Sequence, residues 1–192
     1  MRYLILLFIF QLSVSANLFP NKRTVQKNNL YRSAQLSAKQ IKRAIKKWKI
    51  KTVINLRGES PNKDWWRKEV VAVRESGAKY HNIGMSAQRL PHRKDLIKLI
   101  ELYETAERPI LIHCAGGADR TGEASAMWKL DQMKTSKKKA LKQLTILTRH
   151  IPFRFPAKRY FIKKIYQGSD WAKENYYPCE ANYKYYDKSN CN

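Results

Sequence analysis

Apolar positions recur along this chain in two alternating patterns. Four short stretches, at 31–34, 51–56, 78–83 and 109–112, read as strands. Between them, Ile41, Ala44, Ile45 and Trp48 fall on one face of a helix that Ser37 is placed to cap. A second helix is predicted over Lys63–Ser76, capped by Asn62 and stopped by Gly77. A third is predicted from Pro91 to Ala106, with Leu96, Leu99, Ile100 and Tyr103 inward. Further helices are expected near 121–133, 136–148 and 157–167. Strands alternating with helices of this length predict an α/β fold, a central, mostly parallel sheet of about four to five strands flanked by helices.

The polar stretch 17–29 reads as an extended arm. The end of the chain, with Tyr176, Tyr177, Tyr183, Tyr185 and Tyr186, reads as an irregular wrap. No repeat or long low-complexity linker interrupts the pattern, so residues 30–192 are expected to form a single domain. At the other end, Met1-Arg2, an apolar run from Leu4 to Phe10 and small residues at Ser13–Ala16 match a secretory signal peptide cleaved after Ala16. The run is shorter than the ~20 residues of a membrane span, and no cysteine follows it to accept lipid. The expectation is export, to a periplasm or outside the cell.

Charge narrows the partners. The 192 residues carry a formal +24, and removal of residues 1–16 takes away only Arg2, leaving +23. Such a balance draws anions: inositol polyphosphates, phosphoinositide head groups, anionic membrane surfaces or nucleic acid. Most single lysines, including Lys46-Lys47 and Lys137–Lys139, belong to solvated faces. Oligomeric state is not legible. Of three cysteines, Cys179 and Cys191 sit close together near the C-terminus. An exported protein permits a disulfide between them, the alternative being two free thiols on a loose tail. The four histidines are scattered and no paired-cysteine or His-Glu-x-x-His spacing is present, so neither a metal site nor a cofactor is expected.

The third cysteine opens the sequence His113-Cys114-Ala115-Gly116-Gly117-Ala118-Asp119-Arg120-Thr121-Gly122, set between a strand and a helix. A glycine-bearing loop feeding a helix N-terminus offers converging amide N–H groups and a positive dipole end to an anion. Arg120 adds a two-pronged grip on phosphate oxygens. The same field favours a thiolate at Cys114, a nucleophile beneath bound phosphate. The α/β rule that ligands bind at the carboxyl ends of strands puts Leu56-Arg57 and Ile83-Gly84 at the same mouth.

His-Cys, five residues, Arg, then Thr resembles the signature of the cysteine-dependent protein tyrosine and dual-specificity phosphatases, and the likeness runs from about Leu30 to Met133. It includes Leu30-Tyr31-Arg32-Ser33-Ala34-Gln35 and Val53-Ile54-Asn55-Leu56-Arg57-Gly58. The resemblance implies the phosphatase fold and hydrolysis through a phosphocysteine. Cys114 would be the nucleophile and Arg120 the group that holds the phosphate and its transition state. His113 would brace the loop and tune Cys114 by hydrogen bonds. Thr121 would donate to the cysteine sulfur, or cap the helix. Gly116 and Gly117 would allow the tight turn, while Ala115 and Ala118 would contribute only backbone N–H groups.

The leaving group also needs a proton. Many family members supply it from an Asp on the loop corresponding to 84–91, which here has no carboxylate. Asp119, inside the phosphate loop, is one candidate, with a structural ion pair as its alternative. Asp95, early in the next helix, is another, with a helix-start role as its alternative. Arg57, Arg89 and His92 are candidate substrate contacts. Trp65 and Trp66 either wall a pocket or pack. Relatives acting on phosphoinositides often carry lysine where Ala115 and Ala118 stand.

The leading reading is an exported phosphomonoesterase acting on inositol phosphates or other small polyanions, in line with a phytase-like branch. A protein tyrosine or dual-specificity phosphatase is the first alternative. A phosphate-binding module without turnover is the second. A basic nucleic-acid or membrane-surface binder is the third; nucleic acid is disfavoured, and peripheral membrane contact remains compatible with the charge.

Overall fold

A computed structural model describes residues 20–191; the expected signal peptide lies outside the described residues. Five strands form one sheet: β1 (Arg23–Gln26), β2 (Leu30–Ser33), β3 (Thr52–Asn55), β4 (Lys79–Asn82) and β5 (Ile110–His113), ordered β1-β2-β5-β3-β4. β1 pairs antiparallel with β2, and every other pairing is parallel. The central strand, β5, is wholly buried.

Side chains on a strand alternate between faces. Leu111 of β5 and Val53 of β3 therefore turn towards α1 (Ala38–Trp48) and α2 (Asp64–Glu75), where Ile41, Ile45 and Val73 meet them. Ile110, Ile112 and Ile54 turn the other way, onto α3 (Arg93–Thr105) and α4 (Asp119–Asp131). Every residue from Thr121 to Trp128 of α4 is buried, so α4 is a core helix without a polar face. It fits closely because of Gly122: a Cβ there would stand 2.6 Å from Leu144 Cδ2 and 2.8 Å from the Gln143 carbonyl.

Several expectations shift. The arm contains β1, whose hairpin with β2 was hidden by the polar residues around it. α2 starts behind Lys63 rather than Asn62, because the Lys63 amide closes a turn onto the Ser60 carbonyl (2.9 Å). α3 starts at Arg93, since the Pro91 carbonyl is taken by the Tyr176 hydroxyl (2.7 Å) and His92 is extended. The helix expected over 136–148 breaks into α5 (Lys137–Ala140) and two short turns. Thr145 is extended there and Arg149 left-handed. The helix near 157–167 begins with Pro156 as α6 (Pro156–Tyr160), then widens into a π-turn over Phe161–Ile165. A short helix that was not expected, α7 (Ser169–Asn175), precedes the tyrosine-rich tail. Among the described residues no helix is long and apolar enough to cross a membrane.

Candidate active site

The sequence His113–Gly122 runs from the end of β5 through a tight loop into α4. Cys114 is 2% exposed at its floor. The loop's shape is set from outside by donors to its carbonyls. The Gln35 amide donates to Ala115 O (3.0 Å). Asn21 Nδ2 donates to Gly116 O (3.2 Å) and Gly117 O (2.9 Å). Arg32 Nη2 donates to Gly117 O (2.7 Å) and Ala118 O (3.3 Å). In a trans peptide the next residue's N–H points opposite to the carbonyl. Drawing these four carbonyls outward turns the amides of residues 116–119 inward, over Cys114. That is an anion cradle made of backbone.

Only one of the two loop glycines is required. Gly117 has φ +63°, and a Cβ there would lie 2.5 Å from the Ala34 amide nitrogen. Gly116 has open space around it, so the turn does not depend on it.

Three guanidinium groups stand about the phosphate loop. Arg120, in the first turn of α4, donates from Nη1 to the Leu56 and Met85 carbonyls at 3.4 Å, and its Nε is buried without a partner. The long contacts and the idle Nε leave donor capacity for a ligand. Arg57 stacks over Trp65, 3.5 Å from the ring centre, and donates to Gln35 Oε1 (2.9 Å). Burial, then the nearby Arg120, lowers its pKa. Arg32 lies beneath the loop, and burial brings its pKa down to about 10 against the opposing pull of a Cys114 thiolate. Such a thiolate would therefore sit in a strongly positive field.

His113 turns to the far face of the sheet. Its Nε2 is 2.9 Å from Glu69 Oε1, both residues being 1% exposed, although neither ring nitrogen has a partner in hydrogen-bond geometry. The same Glu69 accepts from the Tyr80 hydroxyl (2.6 Å) and from Gln35 Nε2. Burial opposes ionisation of Glu69, but His113, Tyr80 and Gln35 together hold its carboxyl below the usual range. His113 thus faces a buried carboxylate on α2 rather than the Cys114 sulfur. Thr121 is not the helix cap, since α4 begins two residues earlier at Asp119; its hydroxyl is buried without a partner.

The two acid candidates separate. Asp119 Oδ1 is 2.7 Å from Nδ1 of the wholly buried His150. Asp95 occupies the first turn of α3, where a carboxylate complements the helix dipole. His92 and Arg89 lie near the tail: the His92 ring meets the Tyr186 hydroxyl at 3.2 Å, and Asp187, whose pKa is lowered chiefly by hydrogen bonds to Ser189, also feels both side chains. His92 therefore contacts the C-terminal segment, whereas the Arg89 side chain is exposed and only its backbone carbonyl is held, by Lys158 Nζ (2.7 Å). Trp65 does line a cavity, of about 530 Å³, beside the loop, together with Gln35, Arg57, Lys68 and Ala115. Trp66 instead donates to Asn82 Oδ1 (3.0 Å). Cys179 and Cys191 are joined, with Cα atoms 5.5 Å apart. No cluster of metal-ligating side chains occurs among the described residues.

Sequence reasoning missed Asn21, Arg32, Glu69 and His150. Two had a signal. Arg32 is a charge inside a strand, and Glu69 falls on the apolar stripe shared by Trp66, Val70 and Val73. A buried charge needs a partner. Asn21 and His150 had none, being distant in sequence from the loop they hold.

Solved structures with this architecture include TpbA from P. aeruginosa, with a TM-score of 0.63 at 19% identity over 80% of this chain and 89% of that one. Another is the catalytic domain of SIW14 from S. cerevisiae, titled a PP-IP phosphatase, with a TM-score of 0.59 at 23% identity over 77% and 87%. PTPMT1 matches with a TM-score of 0.56 at 14% identity over 75% and 95%. At these identities the likeness establishes the fold. No curated protein sequence matches significantly. A family profile described as DSP-PTPase phosphatase fused to NAD+ kinase matches residues 13–152, which span the whole phosphate loop and both flanking elements. The chain belongs to this family of cysteine-dependent phosphatases of the protein tyrosine and dual-specificity type, enzymes that hydrolyse phosphomonoesters.

Proposed function

We propose that this phosphatase acts on small polyanionic phosphates, inositol phosphates foremost, in an exported setting. Cys114 attacks phosphorus in line, and the inward amides of 116–119 with Arg120 hold the equatorial oxygens. Asp119 protonates the departing oxygen, and its carboxylate then takes a proton from the water that hydrolyses the phosphocysteine. The buried Thr121 hydroxyl, lacking another partner, suits a donor to the sulfur as it leaves.

The observation that carries the substrate class is the cavity beside the loop. Arg57 and Lys68 line it, next to Ala115, and Arg57 is held over Trp65. A substrate with one phosphate on the loop would present a second to these cations. Two supports stand beside it: the net charge of +24 and the fold shared with the PP-IP phosphatase SIW14. The reading of phosphotyrosine as substrate rests on the aromatic wall at Trp65 and on a TpbA variant solved with pTyr, at 18% identity. Export is supported by the leader-like start and by the Cys179–Cys191 bridge, a bond that reducing compartments disfavour.

Phosphate release from inositol hexakisphosphate, an inositol pyrophosphate, a phosphoinositide and a phosphotyrosine peptide tests the assignment. Higher kcat/KM on the inositol phosphates, lowered by Arg57→Ala and Lys68→Ala, is expected. A preference for the peptide that ignores both substitutions would reassign the enzyme to phosphoproteins. Turnover by Cys114→Ser equal to wild type would remove the mechanism. Absence of the protein from the exported fraction would remove the location, and a mature N-terminus other than Asn17 on exported protein would move the cleavage site.

A further inference from the structure

Asp119 does not stand alone at the mouth. It keeps 17% side-chain exposure, whereas His150, whose Nδ1 touches its Oδ1 at 2.7 Å, has none. The backbone around His150 is tied to the same elements that shape the phosphate loop. Asn21 Nδ2, which holds the Gly116 and Gly117 carbonyls, also donates to the Thr148 carbonyl (3.2 Å). The His150 amide donates to Thr145 O (3.0 Å), and Arg23 reaches the Leu147 carbonyl. The imidazole is therefore fixed relative to the loop, not carried on a free surface turn.

Its other nitrogen decides the chemistry. Nε2 of His150 is buried with no hydrogen-bond partner. A proton there would leave a buried N–H, and on an imidazolium a buried charge, without an acceptor. The arrangement that leaves only a weak acceptor idle is neutral imidazole with hydrogen on Nδ1, donating to Asp119 Oδ1. A neutral donor orients the carboxyl through this one hydrogen bond and takes no part in the proton's transfer.

We propose that His150 is a positioning residue for proton transfer, fixing Oδ1 of Asp119 so that Oδ2 carries the transferred proton. As the sulfur–phosphorus bond forms and the phosphorus–oxygen bond breaks, the Oδ2 proton passes to the leaving oxygen. The resulting carboxylate stays hydrogen-bonded to Nδ1–H. In the second step water attacks phosphorus, its proton returns to Oδ2, and the thiolate departs. His150 neither gains nor loses a proton over the cycle. The inference rests on Asp119 being the acid.

The test compares wild type, Asp119→Asn, His150→Ala, His150→Asn and the Asp119→Asn/His150→Ala pair on an aryl phosphate with a good leaving group and on an alkyl phosphate. Removal of a positioned acid is expected to cost the alkyl ester about 100-fold or more, and the aryl ester little. His150→Ala should slow alkyl phosphate turnover at least about tenfold while changing the aryl ester less than about threefold. His150→Asn, whose amide can occupy the Nδ1–H position, should recover most of that loss, and the double variant should be no slower than Asp119→Asn. If Asp119→Asn slows both esters equally, the acid assignment fails and this inference with it. If Asp119→Asn is leaving-group selective while His150→Ala slows both esters alike, or multiplies with Asp119→Asn, only the role of His150 fails. Nitrogen-15 NMR of the wild-type imidazole gives a readout that needs no variant to fold. Hydrogen on Nδ1 alone is expected; an Nε2–H tautomer or an imidazolium at neutral pH overturns the inference.

Discussion

Two loops border the mouth of this site and are held in contrasting ways. The phosphate loop is tied by its own sheet and by the chain just before it, through Gln35, Arg32 and Asn21. The loop 84–91, where relatives place an acid, is tied largely by the C-terminal segment. Lys158 Nζ donates to Arg89 O (2.7 Å), the Leu90 amide to Tyr185 O (3.1 Å), and the Tyr176 hydroxyl to Pro91 O. Shape that the reaction cannot do without is thus built into the α/β core. The neighbouring loop, lacking a carboxylate, is fastened by a tail that a disulfide closes. Perturbing the first loop should cost catalysis, and perturbing the second should cost stability first.

The largest effect expected is at Gly117. Gly117→Ala places a methyl against backbone at a left-handed φ, a strain of about 1–3 kcal/mol before the clash is relieved. Activity should fall on the order of 100-fold or more, because the cradle itself is displaced, on the scale of losing a preorganised donor. Gly116→Ala, in open space, should stay within about threefold, a change small on that same scale. Equal effects at both glycines would break the contrast at its strongest point. Next, Arg32→Met removes the buried guanidinium that donates to the Gly117 and Gln143 carbonyls, leaving them only the Asn21 amide and the Thr148 hydroxyl. It should cost about 1–3 kcal/mol in denaturant unfolding together with a clear loss of kcat.

On the tail side, replacing Cys179 and Cys191 by serine opens a link between residues twelve apart in sequence. Chain-entropy reasoning gives up to roughly 3 kcal/mol of stability, with aryl phosphate turnover retained at temperatures where the variant is folded. Tyr176→Phe removes one hydrogen bond to Pro91 and should cost about 1 kcal/mol. A collapse of aryl phosphate turnover in either variant would show that the tail governs the chemistry after all.

A separate effect is expected in pH dependence. Glu123 and Lys158 form a wholly buried pair at 2.9 Å, and burial pushes the Glu123 carboxyl up to about 7 despite the opposing ammonium. With its folded pKa above the ordinary 4.5, the native state holds the proton more tightly than the unfolded chain. This group therefore makes stability decline as pH rises from about 4.5 through about 7. Glu123→Gln should flatten that part of a urea-unfolding pH series. A slope unchanged by the substitution would mean that the carboxyl titrates alike in the folded and unfolded chain.

The legibility of the sequence follows the same division. Residues 30–133 were readable because strand and helix periods are local, and because a cysteine, an arginine and glycines at fixed spacing leave few other chemistries. The strand β1 was not, since its pairing with β2 depends on a turn at Asn28 rather than on apolar alternation. Nor were the helix starts at Asp64 and Arg93, which turn carbonyls and a distant tyrosine hydroxyl decide. His92 and Arg89 looked like site residues because they lie near Pro91 in sequence; in the fold His92 meets the Tyr186 hydroxyl, and Arg89 is an exposed cation in the field of Asp187. His150 carried no periodicity and no motif. Only folding brings it to Asp119, 31 residues away.

The most direct measurement is rapid quenching of turnover followed by mass spectrometry of the phosphate-loop peptide. A phosphoryl group on the sulfur of Cys114, formed and lost at rates compatible with turnover and absent in Cys114→Ser, is the predicted result. Steady turnover with no phosphocysteine at any quench time, in a protein whose Cys114 can be replaced by serine without loss, would contradict it.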